Sequence, residues 1–89
     1  MNNPDAPEKK GGPSITNWKE LKAEYVELER RFNEATAQWT AEARSSLWHP
    51  AEAFADQAGL HRLRGQPGRA NVDLTFAIDH ARACVEKVS

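Results

Sequence analysis

Apolar side chains recur every seven residues through the first half of the chain. Trp18, Tyr25, Phe32 and Trp39 are spaced by seven, and Leu21, Leu28 and Ala35 each follow three positions behind an aromatic. Three-and-four spacing puts these residues on one side of a helix. Val26, Ala43 and Leu47 widen the stripe, while Lys19, Glu20, Glu27, Arg30, Arg31 and Glu34 occupy the other face. Asn17 suits an N-cap, and Glu20 stands where a capping box places its acid. No glycine or proline interrupts residues 17–49. The pattern therefore predicts one long helix from 17 to a point between Arg44 and Trp48, closed by Pro50, whose predecessor is biased out of helical geometry.

Beyond Pro50 the reading shortens. Ala51, Phe54, Ala55 and Ala58 share a face, and Gly59 followed by Leu60 reads as a helix stop, so a short helix is expected over 50–58. Residues 60–70 hold Gly65, Pro67 and Gly68 and read as a loop. A second stripe follows in Leu74, Ala77, Ile78, Ala81, Cys84, Val85 and Val88, predicting a helix over 72–88. Val72 and Phe76 lie off that stripe, which marks them as candidates for an exposed apolar contact or for burial beneath the loop. No stretch alternates with period two. The class is all-α: one long N-terminal helix, a short middle helix and a C-terminal helix in a small bundle, with dimerisation as one way to complete it.

The expected helices differ in length. At 1.5 Å per residue the first spans roughly 40 Å and the last about 25 Å, so part of the aromatic ridge is left uncovered. Two outlets follow, a homodimer of twofold symmetry or a partner protein that supplies the missing face. A parallel two-stranded coiled coil fits poorly, because rings as large as Trp and Phe crowd its a positions. The plain alternative is that the aromatic stripe is simply the core of a monomeric bundle.

Composition narrows the function classes. The 89 residues are 39% apolar and 28% charged, and twelve Lys/Arg against thirteen Asp/Glu leave a formal charge of −1. That balance argues against coating nucleic acid through bulk electrostatics. Residues 1–14, with three prolines and two glycines, read as a disordered leader ahead of a single helical domain over 15–89. No apolar run reaches the length of a membrane span, and the first residues lack the apolar centre of a signal peptide. One cysteine, Cys84, excludes an internal disulfide framework and points to a reducing, cytoplasmic setting.

Chemistry-bearing constellations are few. His80 and Cys84 are four apart on one helical face, with His49 and His61 elsewhere as further nitrogen donors. Cys84 belongs to the apolar stripe, where an inert thiol is the usual occupant, so no metal site and no cofactor are expected. Asp79 points about 100° away from its neighbour His80 and cannot orient it as a base for Cys84, so the chain reads as non-enzymatic. Arg62, Arg64 and Arg69 cluster in 60–69 without an acid, a loop fit for phosphates or for an acidic protein surface. Ala55, Gly59 and Leu60 carry part of a helix-turn-helix spacing, but Gly65, Pro67 and Gly68 fall where the recognition helix would run.

The functional expectation is a small cytoplasmic protein-interaction module, a regulator, inhibitor or accessory subunit. Trp18, Tyr25, Phe32, Trp39 and Phe76 would supply burial, and Arg62, Arg64 and Arg69 would orient the partner. The alternative is a dimeric nucleic-acid-binding regulator that sets the arginine loop on phosphates.

Overall fold

The computed structural model describes residues 17–89, so the leader expected over 1–14 lies outside them. Three helices of comparable length pack together: α1 (Trp18–Ala35), α2 (Ala41–Leu63) and α3 (Pro67–Val88). The all-α expectation holds, but the lengths and breaks differ from those read off the sequence.

α1 starts where its cap predicts. Asn17 is extended, and its side-chain oxygen accepts from the Glu20 amide at 3.1 Å. It ends at Ala35, well before Arg44. Thr36 is fully buried, and its hydroxyl donates to the Phe32 carbonyl at 2.7 Å. Thr40 then caps α2, accepting from the Ala43 amide at 3.1 Å. Two threonines thus make the turn that no glycine or proline announced. At 18 residues, or about 27 Å, α1 is the shortest of the three helices. The length mismatch that left a ridge uncovered is therefore absent.

α2 runs straight through both expected breaks. Pro50 lies inside it on an exposed face, where the carbonyl of Ser46, deprived of its amide donor, remains open to water. On either side Trp48 and Ala51 are buried, at 7% and 0% exposure, and this packing holds the helix together across the proline. Gly59 is likewise helical, so the partial helix-turn-helix spacing has no turn behind it.

The loop expected over 60–70 shrinks to a tight turn. Gly65 takes φ +77°, its amide donates to the Arg62 carbonyl at 3.1 Å, and the Gln66 amide donates to His61 at 2.9 Å. This pair of bonds is a Schellman closure, which needs the left-handed residue that glycine supplies. Pro67 opens α3 at its first turn, where a missing amide costs nothing.

Trp18 meets Arg62 and Phe32 meets Trp48, so α1 and α2 are antiparallel. His61 meets Asp73 and Leu47 meets Cys84, so α2 and α3 are antiparallel too. The interior combines rings with very small residues. Phe32 is 1% exposed and stacks on Trp48 with centroids 4.7 Å apart, while Ala51, Ala58, Ala77 and Ala81 let α3 approach its neighbours closely.

Candidate partner-binding surface

The structure separates the aromatic ridge into interior and exterior. Tyr25 and Phe32 are core residues, which corrects their assignment to a partner surface: with α2 and α3 lying across them, neither is accessible. Trp18 is half-buried and carries the Arg62 guanidinium 4.8 Å above its ring, a cation–π contact that ties the ends of α1 and α2 together. Trp39 is 40% exposed and meets Phe32 edge-on at 6.5 Å. Of the four ridge aromatics, only Trp39 is classed as exposed.

The arginines do not share a flexible loop. Arg62 lies in the last turn of α2, Arg64 caps that helix and Arg69 sits in the first turn of α3. All three are exposed, with Arg64 and Arg69 flanking the Gly65 turn.

Phe76 and Val72, the off-stripe apolar residues of α3, also face solvent, at 49% and 50% exposure. With the loop contracted to a turn, nothing lies over them from that segment. Phe76 stacks against Phe54 of α2 with centroids 5.5 Å apart, and Phe54 in turn lies nearly parallel to the His80 ring at 5.3 Å. A three-ring cluster therefore bridges α2 and α3 on the outside of the bundle. Below it an open groove of about 490 Å³ runs between the two helices, lined by Leu47, Pro50, His80, Ala83, Cys84, Glu86 and Lys87. The sequence pattern assigns neither Phe54 nor His80 to a partner surface. For His80 the signal is the three-and-four spacing of the solvent side of α3, from Arg69 through Val72, Phe76, His80 and Ala83 to Lys87, whereas Phe54 lies on α2 and joins the cluster only through the packing of the two helices.

Cys84 forms the groove floor. It is 7% exposed, its thiol donates to the Leu47 carbonyl at 3.4 Å, and burial pushes its pKa up against a smaller opposing pull from Lys87. A thiol so placed is a weak nucleophile. Among the described residues no group of three or more His, Cys, Asp or Glu side chains is arranged to hold a metal ion, and no helix is long and apolar enough to cross a membrane. The outer face of α1 contrasts with the groove. There Glu27 accepts from both Arg30 and Arg31, which holds its carboxyl down at about 2, and Arg30 also reaches Glu34 at 3.0 Å.

No family model, curated protein or solved structure matches this chain.

Proposed function

We propose that the chain is a non-enzymatic protein-binding module of the cytoplasm, a regulator or accessory subunit, and that it engages its partner through the outer face of α2 and α3. The observation that carries this reading is the placement of Phe76 and Val72. Two large apolar side chains one helical turn apart stay about half exposed on a three-helix bundle whose core already holds Tyr25, Phe32 and Trp48. Contiguous exposed apolar surface of this kind is characteristic of contact sites. The reducing compartment fits a single cysteine kept as a buried thiol.

A photo-crosslinking side chain at position 76 tests the reading, with the same group at Lys22 on α1 as the control. Covalent adducts in the native host are expected from position 76 alone, and they disappear when Val72→Asp is added. Equal labelling from both faces, or none from position 76, removes the proposal. Adducts to duplex DNA in place of protein, lost on replacing Arg64 and Arg69, would instead establish the nucleic-acid reading.

A further inference from the structure

We infer that the occupant of the α2–α3 groove is an acidic amphipathic helix, which would make the three-helix bundle a four-helix one. This rests on the reading above and adds the chemistry of the partner. Charge is distributed unevenly over two neighbouring helical stripes. On α3 the exposed stripe is Arg69, Val72, Phe76, His80, Ala83 and Lys87. On α2 it is Pro50, Ala53, Gln57, Leu60 and Arg64. The Phe54–Phe76 contact, and the groove shared by Pro50, His80 and Lys87, place the two stripes on the same side of the molecule.

Neither stripe contains a carboxylate, although thirteen of the 89 residues are acids. The acids of these helices are placed elsewhere. Asp73 is engaged by His61 at 2.5 Å, Asp79 lies 3.8 Å from Arg82 on the far flank, and Glu52 and Asp56 form a separate stripe on α2. Glu86 is the one carboxylate that lines the groove, beside Lys87. The face thus has an apolar middle, with Arg64 and Arg69 at one end and Lys87 at the other.

Shape selects a helix. A trough between two antiparallel helices accepts the ridge of a third, and the α3 stripe runs about 27 Å, matching roughly 18 residues of a partner helix. Charge selects its sign. Carboxylates flanking an apolar seam would face the three cations, steering the encounter and fixing the register. A membrane surface fits less well, because the groove between the helices is concave and the face carries a single lysine, Lys87, besides Arg64 and Arg69. The chain's own α1 is a poor occupant. Its solvent face is dense with ion pairs and offers Val26 as its one exposed large apolar side chain.

A displayed library of 20-residue amphipathic helices tests this, its seam fixed as Leu and Ala and its flanking positions free to be Glu, Lys or Gln. Selection against the full chain is expected to enrich Glu flanks. Phe76→Asp is expected to weaken the selected helices at least about tenfold, and raising salt to weaken them several-fold. The triple variant Arg64→Glu, Arg69→Glu, Lys87→Glu should turn the preference to Lys flanks. All four positions are exposed, and circular dichroism checks that each variant keeps its helices. Helices that need Phe76 but show no charge preference overturn the partner class and leave the binding face standing. Helices indifferent to Phe76, or no enrichment at all, overturn both. Co-sedimentation with anionic phosphatidylglycerol vesicles, or a concentration-dependent dimer lost in Phe76→Asp, overturns the acidic helix by supplying a different occupant.

Discussion

The Trp48 indole donates to the Tyr25 phenol at 3.2 Å, with the two rings tilted and their centroids 5.8 Å apart. This is a polar contact in the interior of the bundle, joining α1 to α2. Burial pushes the phenol pKa from 10.0 up to about 12, outweighing the bond from Trp48, which favours the phenolate. Between pH 10 and 12 the unfolded chain therefore releases the proton that the folded chain keeps. The stabilisation is complete below pH 10 and is lost as pH rises toward 12, at roughly 2–3 kcal/mol in total. Tyr25 is the chain's one tyrosine, so phenolate absorbance reports it directly. Tyr25→Phe should be less stable at neutral pH by about 1–3 kcal/mol, since it strands the indole N–H, and should lose less stability in that alkaline window. A wild-type midpoint near 10 would contradict the burial.

Three glycines respond differently to alanine. Gly65 has φ +77°, a conformation that costs an L-residue roughly 1 kcal/mol, so Gly65→Ala should lower stability by about that amount. Gly59 and Gly68 are helical, and a methyl group at either meets no atom within 4 Å. Gly59→Ala and Gly68→Ala should each raise stability by about 0.4–1 kcal/mol. Urea midpoints for the three variants give the ordering, and a destabilised Gly59→Ala would refute the helical path of α2 through that position.

The helix type of most of the chain was legible in the sequence, and so were the cap at Asn17 and the core stripe of α3. The breaks were not. Glycine and proline are strong punctuation in isolation, but Gly59 and Pro50 lie inside α2 because Trp48, Ala51 and Ala58 gain more by packing than the helix loses locally. The real break, over residues 36–40, lies between Thr36, whose hydroxyl adds a second bond to the Phe32 carbonyl, and Thr40, whose hydroxyl caps the Ala43 amide. Misplacing that break joined Trp39 to the ridge and stretched the first helix. It also puts Tyr25 and Phe32 on the surface, although their periodicity means only that they face something. Phe76 and Val72 were legible as off-stripe residues, whereas the stacking of Phe54 on His80 depends on how α2 lies against α3.

Pro50 offers a direct check on the continuous α2. Pro50→Ala restores an amide donor to the Ser46 carbonyl and removes the ring's clash with the preceding turn. The gain should be about 1–3 kcal/mol, reduced by the greater freedom of the unfolded chain. A chain that ended one helix and began another at this proline would lose stability instead, because proline is favoured at a helix's first turn. The sign of the shift in thermal midpoint separates the two.

His61 and Asp73 lock the upper ends of α2 and α3, with Nδ1 2.5 Å from the carboxylate and both side chains 13% exposed. An ionised carboxylate only accepts, so the imidazole donates. Removing either partner leaves the other poorly solvated beside Ala58 and Leu74, both fully buried. His61→Ala and Asp73→Ala should each cost about 1–3 kcal/mol. The double variant should cost less than the two added together, since the second change removes the group that the first left stranded. Chemical denaturation of the four proteins closes the cycle. Strict additivity would mean that the pair holds nothing together, and that the small residues of the α2–α3 seam fix this end of the bundle alone.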